Sequence, residues 1–272
     1  MIYALLSALC WAGFDWCRKQ LAHWYSAPFM SIMFSFLVLP IFVTFWLFSG
    51  AQLPTENYYT SATISGLIAA LGSVSFIRAL AIGKMAIILP MLSFTPVWSA
   101  MLAWLWLNEP LSTSQALAIL TITLGSFWVL GGKLKATEKG VGHALLAALC
   151  WGSCIVLDKY ALQYATKEFH ATYITLIVFF ATSLLLKIIV KPQVVKMRVK
   201  WWLFATVCFS GAVIFQFIAI EQLQPGLVEG LKRGVGILSA LFIGFLLYKE
   251  TLSAKQLMAI GLIIVSTLVL VY

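Results

Sequence analysis

Read from its first residue, the chain alternates long apolar runs with short polar breaks, and the runs share a common length. They fall at about residues 2–22, 28–48, 61–81, 85–107, 113–131, 141–162, 171–190, 201–220, 226–248 and 254–272. Each is close to the ~20 residues that cross a ~30 Å hydrocarbon core as a helix. Apolar and polar residues do not alternate within them, as they would in the strands of a membrane barrel. With no water in the bilayer core to satisfy the backbone, helix is the form that remains. The breaks, among them "SGAQLPTENYYTS", "NEPLSTSQ" and "KETLSAKQ", carry turn and helix-start residues. None is long enough for a separate domain, so function is expected inside the bundle. The first run has neither a basic leader nor a small-residue cleavage site and reads as a retained helix.

Two stretches are written twice. "ALLSALCWAG" at Ala4–Gly13 returns as "ALLAALCWGS" at Ala144–Ser153, and "LNEPLSTSQALAI" at Leu107–Ile119 returns as "YKETLSAKQLMAI" at Tyr248–Ile260. The offsets agree to one residue, so residues 1–136 and 137–272 read as two five-helix repeats. Because five is odd, the second copy enters the membrane from the opposite side. The expected fold is all-α and integral to the membrane: ten transmembrane helices in two inverted-topology repeats, with a substrate site near the midplane between them.

Composition agrees with this picture and removes other classes. Hydrophobic residues make up 62% of the chain and charged residues 10%, against about 25% charged in an ordinary soluble domain. The formal net charge of +9 does not point to nucleic acid, because Lys and Arg cap apolar runs and build no basic face. Lys159 and Lys167 lie near breaks after even-numbered runs and Lys232 and Arg233 lie inside the ninth run. All the other Lys and Arg gather near breaks after odd-numbered runs. The positive-inside rule then puts the odd breaks in the cytoplasm and both termini outside. The five cysteines sit in apolar runs without metal-ligand spacing, so no metal or redox role is expected. No phosphate-cradling glycine loop, paired metal motif or nucleophile signature is present, so the chain does not read as an enzyme and names no catalytic residue.

The Trp-Gly pattern late in the first helix of each half ("CWAG", "CWGS") is one of three motifs that belong together. The others are the Pro-Val helix closing on a glutamate ("TPVWSAMLAWLWLNEPLS") and the following glycine-ended helix ("LAILTITLGSFWVLGG"). In this order and over the whole chain they resemble the drug/metabolite transporter superfamily, EamA type. The resemblance implies two EamA-like repeats, 1–136 and 137–272, and a carrier moving small metabolites or drugs by alternating access, usually as an exporter and without a bound cofactor. Family members are generally drawn with both termini in the cytoplasm, against the charge count above. Pro96 of the first half aligns with Ile237 of the second, a departure that weakens any transfer of substrate from better-known members.

An ionisable side chain inside a span costs roughly 2.5–3.5 kcal/mol, so by default it faces a partner or a cavity. The ninth span holds Glu229, Lys232 and Arg233 on one helix face, between Pro225 and Gly236. One reading is self-neutralisation along the helix. The other leaves a cation, Arg233 above all, free to hold a carboxylate or phosphate. Gly230 and Gly234, four apart, allow a close helix contact. In the first span Trp11, Asp15 and Arg18 form a stripe whose duplicate carries Trp151 and Asp158, and Asp158 aligns with Arg18. This exchange of sign is expected to make an ion pair across the pseudo-twofold axis, either a gate or a staple. Arg78 is read as an interfacial anchor or a third member of that gate. Glu109 and Glu250, each just ahead of a helix, are read as structural caps.

Trp11, Trp151 and Trp98 are the aromatic residues expected to line the cavity, where a cation would be held over a ring. For proton coupling, Asp15 and Glu229 are better placed than His23, His143 and His170, which all fall at span edges. The expected function is a secondary transporter of a small charged or zwitterionic metabolite in the cell (inner) membrane. It would act as a monomer, with the bilayer and a small-molecule substrate as its partners, without nucleic acid and with proton coupling open. The alternatives are a flippase for a lipid or lipid-linked phosphate, and cationic drug efflux.

Overall fold

The computed structural model describes residues 1–21, 24–82, 91–129, 139–186, 198–248 and 254–271. Ten α-helices lie among them: α1 (Ile2–Leu21), α2 (Ala27–Phe48), α3 (Tyr58–Ile82), α4 (Thr95–Leu107, entered through a 3-10 turn at Leu92–Phe94), α5 (Thr113–Val129), α6 (Val141–Ala161), α7 (Lys167–Leu186), α8 (Val199–Gln222), α9 (Pro225–Tyr248) and α10 (Ala254–Val271). No strand occurs among the described residues. Stretches within α2, α3, α6 and α8 are long and apolar enough to cross a membrane by length and composition alone. Helices α1 and α9 are of similar length but each carries three charged side chains. The N-terminal part of the expected fourth span, through residue 90, lies outside the described residues.

Local chemistry sets the helix ends. Proline occupies the first turn of α2 and of α4 and the first position of α9, where its missing N–H removes nothing the helix needs. α4 closes on Asn108 in the left-handed region, at φ 54°. α5 opens with a reciprocal cap: the Gln115 N–H donates to Ser112 Oγ at 3.3 Å, and the Ser112 N–H donates to Gln115 Oε1 at 3.1 Å. The cap of α5 is therefore Ser112 and not Glu109. α7 starts four residues before the apolar run predicted it, because Thr166 accepts the His170 N–H on its carbonyl and the Phe169 N–H on its hydroxyl. His170 thus lies inside a helix, and it is fully buried.

The helices pair across the two halves. α3 packs on α6 as α8 packs on α1, α4 packs on α6 as α9 packs on α1, and α2 meets α7, α4 meets α9 and α5 meets α10. Exchanging the two halves maps this set onto itself. The duplicated "LCW" stretch makes the same joint twice: Cys10 lies against Gly211 of α8, and Cys150 against Gly72 of α3. A Cβ at Gly211 would come within 3.2 Å of the Cys10 Sγ, and one at Gly72 within 2.9 Å of the Cys150 Cβ. Small residues let the backbones approach this closely. Gly230 and Gly234 do likewise for α9, facing Leu270 and Thr267 of α10.

Connections that follow even-numbered helices meet at one end of the bundle. The Thr55 N–H donates to the Tyr164 carbonyl at 3.1 Å, joining the α2–α3 and α6–α7 connections. Gln224 Nε2 donates to the Pro110 carbonyl at 2.6 Å, joining the α8–α9 and α4–α5 connections. Interior packing is formed by Phe42, Ile119, Ile122, Ile155, Phe217, Ile220 and Leu231 with alanines between them. Trp104, Leu105, Phe180, Leu184 and Val207 are exposed on the outside, as helices bathed in hydrocarbon require.

Candidate functional site

Helix α9 carries Glu229, Lys232 and Arg233 inward on one face. Glu229 is 1% exposed. Its Oε1 accepts a hydrogen bond from Lys232 Nζ, one turn later. Arg233 Nη2 lies 4.0 Å from Glu229 Oε2, a separation with Coulomb attraction but no hydrogen bond. Glu229 Oε2 and Arg233 Nε are both buried without a hydrogen-bond partner. A buried unsatisfied polar group costs about 1–3 kcal/mol, so an acceptor and a donor stand unsatisfied side by side.

Two other helices complete the cluster. From α8, Gln216 Oε1 accepts from Lys232 Nζ at 3.2 Å and from Trp11 Nε1 of α1 at 3.0 Å. Lys232 Nζ also lies 5.1 Å from the centroid of the Trp11 ring, within cation–π range. The Lys232 ammonium group is therefore held by a carboxylate, an amide oxygen and an aromatic face. Phe14 and Phe209 stand edge-on to Trp11 at 5.8 and 5.6 Å and fix its plane.

The remaining predicted residues are placed elsewhere. Asp15 turns outward, with its side chain 64% exposed, and pairs with Arg18 at 3.2 Å. The Arg18 guanidinium rests near the Phe14 and Phe76 rings, 5.6 Å from each. Asp158 accepts a hydrogen bond from Ser65 and lies 3.3 Å from His170 Nε2, and the predicted Arg18–Asp158 pair is not formed. The reason is geometric: α1 packs on α8 and α9 while α6 packs on α3 and α4, so aligned positions of the two repeats do not face each other. Arg78 is exposed. Trp151 packs on Phe76 at 5.3 Å, and Trp98 Nε1 donates to Ser153 Oγ at 2.9 Å. These contacts place both rings at helix joints of α6. Of the predicted set, Trp11, Glu229, Lys232 and Arg233 are brought together. Gln216 was missed, although an amide in the middle of "AVIFQFIAI" is itself a polar intruder of the kind a membrane span rarely keeps without a partner.

A cross-half ion pair does exist, between other residues. Lys159 Nζ, in the last turn of α6, donates to Glu109 Oε2 at 2.7 Å and to the Leu223 carbonyl at 2.8 Å. This clasp ties the ends of α4, α6 and α8 and replaces the capping role expected of Glu109. The predicted counterpart at Glu250 lies outside the described residues, as does His23. A hollow of about 140 Å³ beside Phe29, Ile32, Met33, Phe36 and Phe179 is lined by apolar side chains and involves none of the charged groups.

An all-helical bundle with long apolar helices and a buried charge cluster defines a multi-pass membrane protein. The model of the EamA-like transporter family matches the chain twice, over residues 1–131 and 138–272, and the chain belongs to that family, which lies in the drug/metabolite transporter superfamily. No curated protein matches it. A solved structure described as the crystal structure of a protein superposes with a TM-score of 0.77 at 16% identity, over 98% of this chain and 94% of the other, and has the same fold.

Proposed function

We propose that the chain is a secondary transporter for a small zwitterionic or anionic metabolite, bound between the two halves at Glu229, Lys232, Arg233, Trp11 and Gln216. The observation that carries this reading is the pair of orphaned groups on α9. Glu229 Oε2 can accept a hydrogen bond from a substrate ammonium, and Arg233 Nε can donate to a substrate carboxylate, which Lys232 reaches by leaving Glu229. Each contact relieves an unsatisfied group instead of only adding an attraction.

Alternating access follows from ten spans arranged as inverted repeats, 1–136 and 137–272. Support comes from the self-equivalent helix pairing, the twice-made cysteine–glycine joint, and the gathering of even-numbered connections at one end. The Lys159–Glu109 clasp closes that end. By the charge bias it is the outer end, the odd connections and the cytoplasm lying at the other. Export across the cell membrane by a monomer is proposed on the family likeness alone.

The test is thermal unfolding of the purified protein against a panel of amino acids, carboxylates, phosphates and amines. At a hundred times its dissociation constant a ligand adds about 2.7 kcal/mol. Stabilisation by zwitterions or anions, lost in Arg233→Ala, is the expected result. Stabilisation by amines alone would contradict the assignment.

A further inference from the structure

Asp158 and Lys159 are consecutive in the last turn of α6, and they hold that helix end from two sides. Lys159 makes the clasp to Glu109 and Leu223. Asp158 enters a separate buried network. Ser65 Oγ of α3 donates to Asp158 Oδ1 at 2.5 Å, His170 Nε2 of α7 lies 3.3 Å from the same oxygen, and the Tyr58 hydroxyl of α3 meets His170 Nδ1 at 2.8 Å. Tyr58, Ser65 and His170 are fully buried and Asp158 is 6% exposed. The His170 ring is backed by Phe217 at 4.7 Å.

This network contains a carboxylate and an imidazole away from bulk water, and among the described residues the carboxylate has no other cationic partner. Tyr58 and Ser65 face it from α3 and Cys154 from its own helix, while Tyr59 and Tyr173 pack against the Tyr58 ring. Lys159 is committed to Glu109, and Lys167 and Glu168 pair with each other at 3.7 Å. An isolated charge in such a place is strongly disfavoured, whereas an imidazolium beside a carboxylate is a pair. His170 Nε2, despite its nearness to Oδ1, makes no hydrogen bond in the present arrangement. Tyr58 is suited to either state, since its hydroxyl donates to a neutral ring and accepts from a charged one.

We infer that Asp158 and His170 form a proton-binding site, and that Lys159 transmits its occupancy to the clasp at this end of the bundle. A proton taken up by the imidazole draws His170 and Asp158 together and fixes the last turn of α6 against α3 and α7. Its release leaves Asp158 held by Ser65, and the turn that also positions Lys159 is loosened. The site stands apart from the α9 cluster and supplies the coupling ion for which sequence favoured Asp15 and Glu229.

The experiment is a pH titration of the full chain in detergent, with 15N-labelled histidine followed by NMR, over about pH 5–8 where imidazole ordinarily titrates. The protein has three histidines, so His170→Gln assigns the signal. The expected result is a His170 titration whose midpoint moves in Asp158→Asn. In parallel, amide exchange of segments 104–112 and 220–226, corrected for intrinsic rates, changes with pH in the parent and loses that change in His170→Gln. Ser65→Ala keeps both titrating groups and substitutes for Asp158→Asn if the latter does not fold. Lys159→Met should loosen the clasp at every pH while leaving the His170 titration in place. A His170 that keeps one protonation state throughout, or clasp exchange with the same pH dependence in His170→Gln, overturns the inference.

Discussion

Trp11 and Lys232, on helices of opposite halves, share one acceptor: the side-chain oxygen of Gln216, at 3.0 and 3.2 Å. A neutral amide thus sets the distance between the aromatic face and the ammonium group. Gln216→Ala removes the acceptor of two buried donors at once, at a cost of about 1–3 kcal/mol for each donor left bare. Gln216→Leu should behave the same way, since shape alone does not replace the oxygen. Thermal unfolding of the two variants checks this.

The three charges of α9 should respond asymmetrically to neutralisation. Glu229→Gln leaves two cations in a buried site and is expected to cost about 3–5 kcal/mol, the penalty for breaking a buried pair from one side. Adding Lys232→Met removes one of the stranded cations and should recover part of the loss. A double-mutant cycle by thermal unfolding gives the coupling directly, and additive effects would show that the pair does not interact.

Lys159→Met breaks the clasp to Glu109 and Leu223. The account predicts that the bundle opens more often at that end. In a cysteine-free background carrying Ala103→Cys, in the C-terminal half of α4 and fully buried, a membrane-impermeant maleimide should react about tenfold faster, since 1.4 kcal/mol corresponds to tenfold in an equilibrium. Unchanged reactivity would mean that Lys159 carries no share of the closure.

Close packing at α6 is testable at two glycines of one helix. A Cβ on Gly152 would stand 2.9 Å from Trp98 Cδ1 and 3.0 Å from the Thr95 carbonyl, whereas nothing lies within 4 Å of one on Gly142. Gly152→Ala should destabilise by about 1–3 kcal/mol through overpacking. Gly142→Ala should be neutral or stabilising by up to about 1 kcal/mol, from helix propensity. The melting temperature should therefore fall in Gly152→Ala and hold or rise in Gly142→Ala.

Sequence revealed the helices because run length and the bilayer are commensurate, and observed ends fall within a few residues of the apolar runs. α7 departs at its start, since "KEFH" is polar and only Thr166 shows that the helix has already begun, and α4 departs because the run opens at residue 85 whereas the described helix starts at Thr95 after a 3-10 turn. The α9 cluster was legible because charge inside a span is rare. Its neutral member Gln216 carries no charge to set it apart from the apolar run around it. The Arg18–Asp158 pair failed for a different reason: alignment of repeats establishes equivalence, and equivalent positions meet only near the symmetry axis. Arg18 found Asp15 on its own helix, while Asp158 found Ser65 and a histidine that sequence had left at a span edge. Glu109 looked like a cap because Lys159, its partner, is fifty residues away. Trp98 and Trp151 were expected to line a cavity, and their rings fill joints against Ser153, Gly72 and Phe76.

The most direct test of the central claim, that the α9 cluster binds the transported solute, is exchange across proteoliposomes. The labelled solute would be the one that most stabilises the purified protein, with the parent compared to Glu229→Gln, Lys232→Ala and Arg233→Ala. The account predicts exchange by the parent and its loss in all three variants, each verified as folded. Exchange at parental rates in the three variants would place the substrate elsewhere in the bundle and leave the cluster as structure alone.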